Sequence, residues 1–361
     1  MKLKRLFLGM SLLAIAGLWT GCSNDNEIIN TSNEERAISF RVQGGMPELR
    51  ATGTTLPFVN AFVVNAYGDV SSGTIGPIMD AVTVYRVEGT GNIFDYNPKA
   101  YYKDGDTEVD FAAYSPVSTK IDPGLKGNVD NRIAYTVDSP DGTSNTVQED
   151  LLVAYTNQTD LLGTPVPLAF KHALSRVYVK AVSTLTSDVI ITSLKLVNLY
   201  ESGELVINAD IEDAYAASPA DFADYKTLWT PTGTQNKTYS YALPESGVSV
   251  PAGTSTVYVV SKEQGMMVLP QTTLNVGDDA IVDPDDFYVE VGYTIANVPD
   301  VITVPFKDLY GIAPDADQGL TFEFGRQYAL NINFAGSPLI EITFSVTVED
   351  WNTPISDVPL P

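Results

Sequence analysis

The chain has 361 residues, room for two domains of ordinary size, and 45 acidic against 21 basic side chains give it a net charge of −24. So acidic a surface repels nucleic acid and anionic lipid headgroups, which argues against functions that depend on binding them. A single cysteine excludes disulfides within the chain, and with a single histidine it leaves too few ligands for zinc. Val, Ile, Thr and Tyr are plentiful, Gly and Pro recur at short intervals, and helical periodicity is scarce, which is an all-β composition.

The chain opens with Lys2, Lys4 and Arg5, then an apolar run from Leu6 to Leu18, then small residues and Cys22. That is an export signal in three parts, with an apolar run too short to be a spanning helix. Leu18-Trp19-Thr20-Gly21-Cys22 looks like a bacterial lipobox, although Trp19 stands where an aliphatic residue is usual. The expectation is a signal peptide over 1–21 and lipidation of Cys22, which has no second cysteine to pair with. Loss of three basic residues with the leader takes the charge to −27. Residues 22–36 are polar and acidic beyond Cys22, and read as a flexible tether.

Ala37 to Gln43 alternates as a first strand with Ile38, Phe40 and Val42 on one face. Gly44 to Gly53 is a flexible loop that presents an isolated arginine, Arg50, ahead of Ala51, where proteases cut. Leu56 to Ala66 is apolar on both faces, as in a central strand, and Tyr67-Gly68-Asp69 reads as a turn. From Val166 to Val182 the period of two predicts one strand, with Ala173, Ser175, Val177, Val179 and Ala181 opposite His172, Leu174, Arg176 and Tyr178.

Val189 to Leu199 reads as the first strand of a second domain, and the acidic interval Ala209 to Tyr225 as the place for a short helix. Val248 to Val260 is a strand, a Pro-Ala-Gly turn and a strand, and further strands fall at Phe287 to Ile295 and Val301 to Phe306. Tyr328, Leu330, Ile332 and Phe334 alternate with polar or small residues. Ile340, Ile342, Phe344, Val346 and Val348 do the same, and Ala335-Gly336-Ser337-Pro338 between them predicts a hairpin.

Four stretches of the chain carry a resemblance. Asp110-Phe111-Ala112-Ala113-Tyr114-Ser115-Pro116, Asp150-Leu151-Leu152-Val153-Ala154 and Phe170-Lys171-His172-Ala173-Leu174-Ser175-Arg176-Val177 occur in that order. They are followed by Phe324-Gly325 with Tyr328, Leu330 and Ile332, and a last strand ending Val348-Glu349-Asp350-Trp351. This series resembles the fimbrillin-like (Mfa-like) lipoproteins, subunits of type V pili in gut and oral bacteria, over most of residues 37–351. The resemblance implies two tandem transthyretin-like β-sandwich domains, placed at 37–183 and 184–361. It also implies a structural role without catalysis and an outer-membrane, surface-exposed location. An acidic patch behind the lipidated cysteine resembles the signal for that face.

In that family an arginine-specific protease cuts near the position of Arg50, and the resemblance implies cleavage between Arg50 and Ala51. Such a cut would free the strand bearing Ile38, Phe40 and Val42, and a strand from another subunit could fill the groove. A cut at Arg36–Ala37 would free no strand. The terminal strand bearing Ile340, Ile342, Phe344, Val346 and Val348 is the candidate donor. The short tail after Trp351 points to a tip or accessory subunit.

The residues speak little for enzymatic chemistry. A Ser-His-Asp arrangement would have to use His172, which sits within a strand and reads as a half-buried, hydrogen-bonded histidine. Asp104 to Glu108, Asp283 to Asp286 and Asp315 to Gly319 look like fragments of a calcium loop but lack the distal acid, and read as solvated loops. No cofactor or metal is expected. The partners expected are other fimbrial subunits, the outer membrane through Cys22, and a surface glycan or protein as adhesion ligand. The alternative reading is a monomeric glycan-binding surface lipoprotein, with Trp229, Tyr101 or Tyr102 stacking on sugars. Paired carboxylates of a glycosidase are a third, since dozens of acids are present.

Overall fold

A computed structural model describes residues 36–42, 59–70, 76–88, 93–104, 106–123, 131–142, 148–216, 228–272, 287–306, 309, 321–336 and 341–351. The first ten strands are β1 (Phe40–Val42), β2 (Ala61–Val70), β3 (Gly76–Arg86), β4 (Ile93–Asp95), β5 (Asp106–Ser115), β6 (Ile121–Asp122), β7 (Arg132–Thr136), β8 (Leu152–Gln158), β9 (Val166–Leu168) and β10 (Lys171–His172). Eight of them form one sheet in the order β10-β8-β5-β2-β3-β4-β1-β9. Its two end strands are separated in the chain by only residues 169 and 170, so the sheet must roll until its edges nearly meet. Inside the roll lies a core that includes Phe40, Phe62, Phe94, Phe111 and Phe170.

The remaining strands are β11 (Ser175–Ser183), β12 (Val189–Leu199), β13 (Ser202–Val206), β14 (Trp229–Thr232), β15 (Lys237–Ser240), β16 (Val248–Val250), β17 (Gly253–Val260), β18 (Met266–Val268), β19 (Gln271–Thr272), β20 (Tyr288–Ile295), β21 (Val298–Pro305), β22 (Thr321–Phe322), β23 (Arg326–Ala335) and β24 (Glu341–Asp350). One sheet runs β17-β11-β23-β24, with β18 continuing the β17 side; another runs β15-β12-β20-β21, with β16 continuing the β15 side. They share a second core, in which the Tyr293 and Phe334 rings meet edge to face at 5.5 Å and Tyr241 donates to the Val177 carbonyl at 2.9 Å. A helix, α1 (Asp210–Ala216), lies within the acidic interval where one was expected, with three acids in its first turn.

Local alternation located β12 and the β23–β24 hairpin, whose register runs from Arg326↔Asp350 to Ala335↔Glu341. It failed in two places. Tyr67-Gly68-Asp69 is no turn but the continuation of β2, paired to β5 through Tyr67↔Asp110 and Gly68↔Val109. The glycine serves a close approach, since a Cβ there would stand 2.6 Å from an Asp106 carboxylate oxygen. Val166 to Val182 is three strands, not one. After β10 the chain leaves the rolled sheet and enters the sheet of β23, to which β11 runs parallel. Ala173 and Leu174 are wholly buried at that crossing.

Pairing does not change at residue 183. β11, which ends there, already lies among C-terminal strands, and β6 and β7 join β13 and β14 in a four-stranded sheet. Gln148 ties the same regions together. Its side chain donates to the Asp138 and Met267 carbonyls at 2.8 and 2.7 Å and accepts from the Met267 N–H at 2.7 Å.

Candidate functional site

The first strand is short, yet it is enclosed on both sides. Phe40 and Arg41 pair antiparallel with Phe94 and Ile93 of β4, while Phe40, Arg41 and Val42 pair parallel with Val166, Pro167 and Leu168 of β9. Alternation turns Ile38, Phe40 and Val42 into the core at 1, 3 and 4 % exposure and leaves Arg41 outside. The Phe40 ring lies 5.6 to 5.9 Å from those of Phe62, Tyr96 and Phe111. The Tyr96 hydroxyl donates to the Ile38 carbonyl at 2.9 Å, and the Ile38 N–H donates to the Ala100 carbonyl at 3.0 Å. Burying three such side chains contributes roughly 5–9 kcal/mol at about 1.5–3 kcal/mol each. Removing this strand would therefore open a groove lined by phenylalanines and flanked by unpaired β4 and β9.

Arg36 marks the start of that strand and is held. Its guanidinium pairs with Asp104 and donates to the Tyr102 carbonyl at 2.5 Å, while Tyr102 N–H donates back to the Arg36 carbonyl at 3.1 Å. Of the eight arginines in the chain, Arg41, Arg86, Arg132, Arg176 and Arg326 also lie in paired strands. Cys22, Arg50, Ala51 and Ile340 lie outside the described residues.

The sheet edges differ in how they are guarded. β20 and β21 are joined by Ala296-Asn297, both at positive φ, a two-residue turn that makes Ile295↔Val298 the closing hydrogen-bonded pair. The Phe306 N–H to Phe287 carbonyl bond confirms the parity. Backbone groups of Pro299, Val301, Thr303 and Pro305 therefore point away from the sheet, and two of those four lack an N–H. That edge is blunted.

On β24 the Trp351 N–H donates to the Gly325 carbonyl, and the Phe334 carbonyl accepts from Thr184 on the opposite side of β23. By alternation, Ile342, Phe344, Val346 and Val348 aim their backbone groups outward along the open edge. No proline interrupts them, and no described strand pairs there. Phe344 and Val346 are buried, and Ile342 and Val348 half-buried, against the shared core.

The end of β24 is clamped. Trp351 stacks on His172, with centroids 4.0 Å apart and planes 4° apart, and the Arg176 guanidinium lies 4.6 Å from the Trp351 ring. His172 Nδ1 lies 2.6 Å from an Asp150 carboxylate oxygen. Asp350 and Glu349 form ion pairs with Arg326 and Lys262. His172 is fully buried, where the sequence suggested half-burial, because Trp351 covers its ring. Enclosed in this way, it offers no surface to a substrate.

Trp229 is also in the core, donating from its indole to the Ala173 carbonyl at 2.8 Å, and Tyr102 is buried; of the three aromatics considered for sugar stacking only Tyr101 is exposed. Among the described residues no group of three or more His, Cys, Asp or Glu side chains is placed to hold a metal ion, and no helix is long and apolar enough to cross a membrane. Asp104 is occupied with Arg36, while 283–286 and 315–319 lie outside the described residues.

No curated protein matches the chain. Among solved structures it resembles a fimbrial protein of Bacteroides vulgatus, with TM-score 0.56 and 14% identity over 88% of this chain and all of that one. It also resembles the tip fimbrial protein Mfa3 of Porphyromonas gingivalis, with C-terminal truncation, at TM-score 0.47 and 12% identity over 87% of this chain and 98% of that one. The fimbrillin-like family model matches residues 50–351. The chain, an all-β protein with a rolled sheet and a two-sheet core, belongs to the fimbrillin-like family.

Proposed function

We propose that this chain is a structural subunit of a cell-surface fimbrium that acts in adhesion, anchored through lipid on Cys22 until a protease cuts between Arg50 and Ala51. Family membership supports the fimbrial role, and the enclosure of β1 carries the mechanism. A strand inside a sheet, with Ile38, Phe40 and Val42 seated in the core, leaves a specific acceptor groove when it departs. A strand of alternating apolar side chains from a neighbouring subunit fits the vacated place between β4 and β9. The clamp on Trp351 favours a β24 that stays in its own subunit over one that donates, which suits a tip or accessory position. Donation by Ile342, Phe344, Val346 and Val348 would first have to break that clamp.

Arginine-specific proteolysis of the folded, leaderless chain tests the reading. Arg36 is ion-paired and five other arginines lie in strands, so one cut, after Arg50, is expected, followed by SDS-resistant oligomers. The Arg50→Ala variant should stay uncut and monomeric. A cut chain that keeps 36–50 bound and never associates would sink the exchange mechanism.

A further inference from the structure

The outer face of the β17-β11-β23-β24 sheet carries a feature that neither core explains. Val177, Val179 and Ala181 of β11 point into the shared core, so Tyr178 and Lys180 point the other way, toward solvent. Tyr178 is nevertheless fully buried, because Tyr258 of β17 stacks beside it, with centroids 6.3 Å apart and planes 25° apart. Tyr258 itself is 51% exposed. The inner ring thus fixes the outer one in place as a platform.

Lys180 sits between the two. Its ammonium is 5.2 Å from the Tyr178 centroid and 5.6 Å from that of Tyr258; Glu349 feels its charge, but among the described residues it closes no ion pair within 4 Å. In a chain with 45 acidic side chains, a lysine that lies between two rings without closing an ion pair is unusual. The nearby Glu349 is engaged by Lys262 and by the Tyr178 hydroxyl, which donates to it at 3.0 Å. Register carries the row onward from Tyr258 and Lys180 to Asn331 of β23 and Ser345 of β24. The Asn331 amide donates to the Thr347 and Ser345 hydroxyl oxygens at 3.1 and 3.4 Å, and among the described residues neither hydroxyl has an acceptor of its own, so each can donate to a ligand.

We infer that this face binds an acidic oligosaccharide, with Tyr258 under the apolar face of one sugar ring and Lys180 on that ring's carboxylate or sulfate. Ser345 and Thr347, about 14 Å from Tyr258 across three strand spacings, meet hydroxyls of a ring further along. Among its described residues this face has one exposed aromatic and no other large exposed apolar side chain, which is enough for a sugar and too little for the core of a protein interface. The ammonium of Lys180, held by two rings and in no ion pair among the described residues, favours an anionic sugar over a neutral one. All the groups belong to one copy, so the site stands whether or not the chain assembles by strand exchange.

The test uses the intact leaderless chain, uncut, in native affinity gels and calorimetry with polygalacturonate, chondroitin sulfate, neutral dextran and polyglutamate. Retention by one or both acidic polysaccharides, weakened by salt, and none by dextran or polyglutamate is the expected result. Tyr258→Ala and Lys180→Gln should each weaken binding by about tenfold or more, with Tyr258→Phe close to the parent and Tyr85→Ala, another exposed tyrosine, unchanged. Circular dichroism checks that each variant is folded. Equal binding to dextran or polyglutamate, no binding to either acidic polysaccharide, or indifference to both substitutions would overturn the proposal.

Discussion

Glu323 shows how one side chain can set a pH dependence. It lies just before β23, where its N–H donates to the Tyr328 hydroxyl oxygen at 2.7 Å and its carbonyl accepts from Ser175. Burial pushes its carboxyl from 4.5 up to about 8, with the positive charge of Arg326 pulling the other way. The folded chain then holds this proton more firmly than the unfolded chain does. Stability from this group is therefore full below the unfolded value and declines as pH rises through about 8. Glu323→Gln should remove the decline, so that its Tm exceeds the parent's by about 2 °C or more at pH 8.5 and by less at pH 5. Thermal unfolding across that range checks it, and parallel curves for the two proteins would contradict it.

For single elements, enclosure matters more than length. Three residues suffice for β1 because both its edges are paired and its inward side chains meet aromatic rings. Phe40→Ala should cost about 3–5 kcal/mol in denaturant unfolding, the range for a large aromatic lost from a core. On the exchange reading, the same substitution should speed release of the cut strand, which a fluorophore on the 36–50 segment would report. The sheet edges carry the complementary lesson. β21 spends two of its four outward positions on prolines, whereas β24 presents a run of unblocked backbone groups.

Across the whole molecule, the sheets are interlocked. β6 and β7, early in the chain, complete a sheet with β13 and β14, and between β10 and β11 the chain crosses from the rolled sheet into the C-terminal one. Gln148 bridges the segment before β8 to β18 through two hydrogen bonds with Met267, holds Asp138 through a third, and is itself buried. Gln148→Ala would strand the Met267 N–H and two carbonyls, and should destabilise by about 2–4 kcal/mol. Because the pairing joins both halves, calorimetry should show one transition for parent and variant alike. Two separated transitions would mean that the halves melt independently.

Alternation along the chain is enough by itself to place the all-β class, β12, β16 with β17, and the β23–β24 hairpin. Those signals are local, because a period of two reports which side chains share a face. It does not report which sheet supplies the partner. That is why one continuous pattern from Val166 to Val182 conceals three strands in two sheets, and why Gly68 looks like a turn while serving a close contact with Asp106. Trp229 and Tyr102 can be read as surface aromatics for the same reason, whereas Tyr178 and Tyr258, eighty residues apart, give no sign of a shared platform. Each of those outcomes depends on distant segments meeting, a choice made by the total apolar area that the folded chain can bury and not by any stretch alone.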